Sequence, residues 1–212
     1  MGSVAEALIT PGERVLVACS GGVDSLALLA TLAGLDLKPP PVVAHVDHGL
    51  RPGSEEDARA VEDRAGFLGF EYVERRLSWD KPADRVSEDD ARRARLAALE
   101  ELADEVGAHC IALGHTADDQ LETVLMRLVR GAGITGLAGM APRRGRLVRP
   151  LLDVTRTQNE ALVAKLGWPV REDPTNRSDR FFRNRIRRDV VPLLLRENPR
   201  LVETVARSTR VL

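Results

Sequence analysis

The sequence has almost no lysine. Of its 31 basic residues only Lys38, Lys81 and Lys165 are lysines, and the rest are arginines. Arginine is the better residue for bidentate phosphate contacts and base stacking. The bias runs the whole length of the chain, so it reads equally well as compositional drift. Cysteine is scarce too. Cys19 and Cys110 each sit inside an apolar run, and no CxxC pair occurs. That excludes a metal ribbon and a dithiol redox motif, and it reads both thiols as small core residues in a reducing compartment. Neither a signal peptide nor an 18-residue apolar span is present, so the expected location is the cytoplasm, with no membrane partner. A Gly-Lys-Ser/Thr triplet is also missing, which excludes a Walker A loop.

What remains is a soluble, globular composition, 43% apolar and 30% charged over 212 residues. That length suffices for one well-cored domain and a short extension. The net charge of -1 hides an asymmetry: residues 143–212 hold 17 basic and 8 acidic residues, against 14 and 24 in residues 1–142. A basic end on an acidic body suits a polyanionic partner, and it also suits a solvated arginine-rich surface.

Short apolar runs alternate with helical patterns. Strands are expected at 14–19, 42–46, 70–77, 109–113 and 147–148. Helices are expected at 24–34, 54–68 with Ser54 as N-cap and Asp57 in a weakened capping box, 87–106 capped by Ser87, 116–130 capped by Thr116, and 155–166. The alternation predicts an α/β fold: a doubly wound, mostly parallel five-stranded sheet with helices on both faces, plus a helical C-terminal extension. The expected division is a nucleotide-binding catalytic domain at 1–150 and an Arg-rich extension at 151–212. Ligands of such folds sit at the carboxyl ends of the strands. There the sequence places Ser20 onward, Asp47-His48-Gly49 and Gly114-His115. The glycines 131, 133, 136 and 139 mark a loop able to approach a ligand closely.

Five blocks carry chemistry. In Ser20-Gly21-Gly22-Val23-Asp24-Ser25, two glycines allow successive amides to face an oxyanion, the next helix adds its positive end, and the serines add hydroxyls. A bare Asp24 would repel phosphate, and Mg²⁺ between them resolves the conflict. His45 and Asp47, in His45-Val46-Asp47-His48-Gly49-Leu50-Arg51, read as a strand tip against a nucleotide. A zinc pair is disfavoured, because His45 and His48 point to opposite faces. Glu88, Arg92 and Arg95 share one helical face, as a salt-bridged surface would. In Gly114-His115-Thr116-Ala117-Asp118-Asp119-Gln120-Leu121-Glu122, Asp118 and Asp119 could cap the helix, while Asp119 and Glu122 share a helix face and as a pair could hold an ammonium or Mg²⁺. Around residues 180–188, arginines interleave with Phe181 and Phe182, which suits RNA phosphates and bases as well as an amphipathic helix.

The first block resembles the PP-loop of the ATP pyrophosphatases, which cleave ATP to AMP and pyrophosphate. The ordered set, from about residue 13 to 195, resembles the tRNA(Ile)-lysidine synthetases. It includes their HVDHGLR, GHxxDDxxET and RPLL segments, the glycine loop from Arg130, and a closing block from Asp173-Pro174-Thr175-Asn176 to Val190-Val191-Pro192. Leu96 departs from the pattern, where an aromatic residue is usual. The resemblance implies ATP and Mg²⁺ as cofactors, free L-lysine and a tRNA(Ile) with a CAU anticodon as partners, and lysine joined to C2 of the wobble cytidine through an adenylated intermediate. It is compatible with a homodimer. By resemblance, Asp24, Arg95, Asp119, Glu122 and Arg187 are catalytic, with Asp24 on Mg²⁺. ATP falls to Ser20, Gly21, Gly22, Val23, Asp24, Ser25, His45, Asp47, Gly114 and His115. Lysine falls to Asp119, Glu122 and Arg92, and tRNA to Arg130, Arg180, Arg183, Arg185 and Arg188. Another PP-loop tRNA enzyme, such as a thiolase, is the competing expectation, although two isolated strand cysteines argue against it. Lysidine synthetases usually carry further C-terminal domains, so this sequence, ending at Leu212, is expected to be a truncated or short form whose ATP binding could outlast its activity.

Overall fold

A computed structural model describes residues 7–49, 53–80, 82, 85–171 and 181–212. Six strands form: β1 (Val15–Ala18), β2 (Val42–Asp47), β3 (Glu71–Arg76), β4 (Cys110–Ala112), β5 (Arg143–Arg144) and β6 (Leu147–Val148). They form one sheet in the order β3-β2-β1-β4-β6-β5. The pairs β1–β2, β1–β4, β2–β3 and β4–β6 are parallel, with Leu16 opposite Val42 and Ile111. The expected five strands become six. A tight turn at Gly145 folds Arg143–Arg144 back antiparallel on β6, and two exposed arginines carry no apolar signal for a strand.

Period-two alternation sorts the strands' side chains onto two cores. Val15, Val17, Val43, Cys110, Ala112 and Val148 face α1 (Val23–Ala33), α2 (Ser54–Leu68) and α6 (Arg156–Lys165). Leu16, Val42, Ala44, Val46, Ile111 and Leu113 face α3 (Glu88–Glu105). A third cluster joins α4 (Ala117–Val129) to α9 (Leu201–Ser208) through Ala117, Leu121, Val202 and Ala206. Between them run a single turn, α5 (Ile134–Leu137), then α7 (Phe182–Arg185), a π-helical stretch Ile186–Val190, and α8 (Val191–Glu197).

Strand order reverses at β1. The loop after it and the loop after β4 therefore diverge and open a crevice at the carboxyl edge. Capping chemistry sets the helix starts there. Ser87 with Asp90, Thr116 with Asp119 and Thr155 with Gln158 all form capping boxes. The helix at Ser54 begins differently from expectation. Gly53, in the left-handed region, is its N-cap. The Ser54 hydroxyl instead donates to Asp47 Oδ2 at 3.0 Å, so the expected capping box with Asp57 is absent.

Both cysteines lie in the sheet core. Burial raises the Cys19 thiol and pushes Cys110 up to about 11 from an ordinary 9.0. A thiol with a raised folded-state value stays neutral until the pH approaches that value. We therefore expect native protein at pH 9 to resist iodoacetamide at both positions, and urea-unfolded protein to react at both, read by mass spectrometry.

Candidate active site

The loop after β1 is held by one side chain. Ser25 Oγ donates to the Gly22 carbonyl at 2.8 Å and accepts from the Ser20 amide at 3.1 Å. Its hydrogen is spent on the loop, so Ser25 shapes the cradle rather than offering a second donor to a ligand. Ser20 is the exposed hydroxyl. Gly21 sits at φ +80 and its carbonyl accepts from the Arg171 amide, a conformation that favours glycine. α1 starts at Gly22 with no side-chain cap, unlike α3, α4 and α6, so its first amides face the crevice without a protein acceptor from a capping side chain. Val23 belongs to the core.

Gly114 forms the opposite wall. A Cβ there would lie 3.0 Å from the Asp24 carbonyl oxygen and 3.2 Å from the Ser25 amide nitrogen. Its role in this structure is close packing of the β4 loop on the first turn of α1. His45 and Asp47 also work internally. His45 Nδ1 lies 2.9 Å from the Cys19 carbonyl, behind the loop. Asp47 accepts from the Gly49 amide at 2.8 Å and from Ser54. Both are buried.

Asp24 stands at the crevice floor. Its Oδ1 accepts from Asn159 Nδ2 at 2.9 Å, and its Oδ2 lies 3.6 Å from an Arg156 nitrogen. Burial raises its pKa, and Asn159 and Arg156 do not cancel that rise. The carboxylate is short of positive charge. Asp118 is also raised by burial, although its Oδ2 accepts from the Arg156 amide at 2.7 Å and so caps α6.

Asp119 and Glu122 do share a face of α4, and they meet two arginines. Arg183 donates to Asp119 Oδ1 at 2.7 Å and to Glu122 Oε2 at 2.6 Å. Arg187, one turn on, donates to Glu122 Oε1 and Oε2 at 2.5 and 3.1 Å. Asp119 is also the cap residue, its Oδ2 accepting from the Thr116 amide at 2.8 Å. Burial works to raise Asp119, but Arg183, the Thr116 amide and Arg187 outweigh it and hold the carboxyl below its ordinary 3.8. Arg183 therefore stands in the acidic cluster, away from the exposed surface expected for a tRNA contact. Arg130 and Arg185 are exposed and flank the Phe182 ring, each 5.6 Å from its centroid. Arg188 is exposed and pairs with Asp189 at 2.6 Å. Arg180 lies outside the described residues, as do the Asp173–Asn176 turn and the side chain of Glu88.

A second group has the opposite imbalance. Burial, with Arg92 and Arg183 nearby, lowers Arg95. Burial, with Arg92 and Arg144, lowers Arg149. His115 is pushed down to about 3, by burial first and then by Arg149, Arg95 and Arg183 against the pull of Asp119, and is therefore neutral. Arg95 Nε, Arg149 Nε and His115 Nδ1 are buried with no hydrogen-bond partner among the described residues. Buried polar atoms without partners cost free energy, and Arg149 meets only part of its donor capacity through the Ala141 carbonyl, at 2.7 Å. Arg92 is exposed at the rim. On the acidic side a cleft of about 100 Å³ is walled by Asp118 and Glu122, by Arg156 and Arg187, and by apolar Leu121 and Val191.

The glycine loop turns inward upon itself. Arg127 donates to the Gly136 and Gly139 carbonyls at 2.8 and 2.7 Å, and α5 forms inside it. The sequence reads Asp118 as a cap of its own helix, whereas it caps α6, and Arg149, Arg156 and Asn159 were missed as site residues. Arg149 had one signal, a charge inside the apolar run from Leu147 to Leu152. Asn159 had another, an amide at a buried helical position.

The chain matches the PP-loop domain family over residues 3–194. It belongs to that family. This PP-loop chain is 45% identical to the tRNA(Ile)-lysidine synthase of Geobacter sulfurreducens over 97% of its own length and 45% of the relative's. It is 48% identical to that of a Methylobacterium species, covering 92% of itself and 58% of the relative. For Thermobifida fusca the identity is 44%, over 95% and 63%. It thus spans roughly half of these relatives' length. Among solved structures, its fold matches a U34-tRNA thiolase of Methanococcus maripaludis with a TM-score of 0.80 at 19% identity, covering 98% of this chain and 75% of that one. No helix among the described residues is long and apolar enough to cross a membrane.

Glu122 is 3% exposed, so removing its charge leaves Asp119 as the one carboxylate shared by the Arg183 and Arg187 guanidiniums. Glu122→Gln is expected to cost on the order of 3 kcal/mol in urea unfolding, and the Glu122→Gln/Arg183→Leu cycle to be non-additive by about 1–3 kcal/mol. Additive costs would separate the pair. The sign for Asp119 also follows. Its folded pKa is depressed, so its contribution is full above its ordinary value of 3.8 and is lost as pH falls below that. The stability-against-pH curve of Asp119→Asn should be flatter than that of wild type below about pH 4.

Proposed function

We propose that this PP-loop chain carries the catalytic domain of a tRNA(Ile)-lysidine synthetase. On this reading it uses ATP to join L-lysine to C2 of the wobble cytidine in a tRNA(Ile) with a CAU anticodon, releasing AMP and pyrophosphate. The observation that carries the reading is the pairing of an uncapped helix behind Ser20–Ser25 with a cleft of carboxylates and arginines, joined through Arg156, which lines the cleft and lies 3.6 Å from Asp24. The names of the relatives support it.

The chemistry needs two steps. The O2 atom of cytidine attacks the α-phosphorus of ATP, the bond to the β-phosphate oxygen breaks, and pyrophosphate leaves. The amides of the Gly21–Ser25 turn and the Ser20 hydroxyl bind the departing phosphates. Asp24 fits a Mg²⁺ ion, because it is half-buried, under-neutralised and accepts no hydrogen bond at Oδ2, where only Arg156 approaches, at 3.6 Å. Asp24 would hold Mg²⁺, which would neutralise phosphate charge. The ε-nitrogen of lysine then attacks C2 and AMP departs with the former O2. The wobble base must leave its stack to be reached.

Lysine is a zwitterion with an aliphatic stem, and the cleft offers carboxylates, arginines and an apolar wall. Asp119 and Glu122 attract the ammonium, in competition with Arg183 and Arg187. The amine must lose a proton before attack. Asp119, held low by Arg183, is a poor acceptor, and Asp118, raised by burial, is the better one. Arg92, Arg95 and Arg149 with His115 bind the anionic partner, either a phosphate or the lysine carboxylate. Exposed Arg130, Arg185 and Arg188, together with Arg180, contact the tRNA backbone. A thiolase is disfavoured because both cysteines are buried and their thiols are raised.

With ATP, Mg²⁺, labelled lysine and a tRNA(Ile) transcript, label should enter the tRNA, and other amino acids should not replace lysine. Sulfur incorporation, or ATP binding without any transfer, would overturn the assignment. Asp119→Asn should raise the KM for lysine about tenfold, the loss of one charge-assisted contact, and change that for ATP much less. Equal changes in both would remove Asp119 from lysine binding.

A further inference from the structure

Asn159 occupies a position where the fold calls for an apolar residue. It lies on α6, four residues before Val163, on the face packed against α1, and it is 0% exposed. Helical patterning places leucine or isoleucine at such sites. Its Nδ2 donates to Asp24 Oδ1 at 2.9 Å. Its own Oδ1 is buried with no hydrogen-bond partner among the described residues. The opposite amide orientation would set that oxygen against a carboxylate oxygen, so the assignment follows from the chemistry. A buried, unpaired carbonyl costs the fold about 1–3 kcal/mol. Stability alone therefore does not account for an asparagine here, and departures from patterning of this kind concentrate at functional sites.

We propose that Asn159 is a positioning residue for Asp24. It fixes one carboxylate oxygen and thereby aims the other, Oδ2, into the crevice for a divalent cation. Arg156, three residues earlier on the same helix, lies 3.6 Å from Oδ2, and its amide is tied to Asp118. The first turn of α6 thus addresses both oxygens of Asp24 from a fixed base. This inference rests on the reading of Asp24 as the cation-binding carboxylate.

The test uses Mn²⁺ as the probe, with its binding in the presence of ATP followed by electron paramagnetic resonance. ATP affinity without metal and the melting temperature are measured alongside. Asn159→Leu should leave the melting temperature unchanged or higher and metal-free ATP affinity unchanged. Mn²⁺ affinity should fall about tenfold, the lower end of the effect of losing a residue that orients a metal ligand. In an Asp24→Asn background the same substitution should change nothing further. Asn159→Ala carries the same expectation for Mn²⁺ if leucine prevents folding. Wild-type Mn²⁺ affinity in both variants would overturn the proposal while leaving Asp24 as cation ligand. So would an equal loss in the Asp24→Asn background, or an equal loss of metal-free ATP binding. No Mn²⁺ binding by the wild type would overturn the reading of Asp24 itself, and the proposal with it.

Discussion

Asp119 divides its two oxygens between two tasks, and much of the site depends on that division. One oxygen closes the N-terminus of α4 through Thr116, and the other takes Arg183. The first contact orients the helix that carries Glu122. The second draws the chain around Phe182–Val190 onto the mouth of the sheet, where Arg187 completes the ion pairs. A carboxylate that did only one of these things would leave either a frayed helix or an unanchored C-terminal segment. The cost is that this carboxylate is already engaged by guanidinium groups. Any cation reaching it would have to out-compete or re-sort those contacts, since a buried charge left unpaired is costly.

Around that hub the site separates into two halves of opposite shortage. Asp24 and Asp118 have too little positive charge nearby, and Arg95 and Arg149 have too little negative. Strand order creates this arrangement. The central strand and its neighbour across the switch point deliver their loops to one edge, α3 brings arginines from one face of the sheet, and α6 brings an amide and an arginine from the other. Each half would be costly alone in a folded interior. A ligand that brings positive charge to the first half and negative charge to the second would satisfy both.

The alternation of apolar runs and helical patterns was enough to read the parallel sheet, its helices and the edge where chemistry gathers, because each depends on short-range periodicity. β5 escaped because two exposed arginines form a strand only when β6 is beside them. Asp119 and Glu122 were legible as a pair, since helical spacing alone sets them on one face. Their arginine partners were not, because Arg183 lies 61 residues from Glu122 and only tertiary packing joins them. Arg183 read as surface for the same reason. His45 and Asp47 read as ligand contacts because a strand tip is where ligands sit. Their hydrogen bonds run instead to the backbone of Cys19 and Gly49, a distinction that side-chain direction decides and residue type does not.

Gly114 leaves no space between the β4 loop and the first turn of α1. Two backbones in direct contact cannot slide or open without separating, so the nucleotide side of the crevice behaves as a single stiff body. The opposite flank is the helical run after Phe181, held by side chains instead of backbone contact: Arg187, within its π-helical stretch, pairs with Glu122. An alanine at position 114 would disturb the stiff flank without touching any ligand at all.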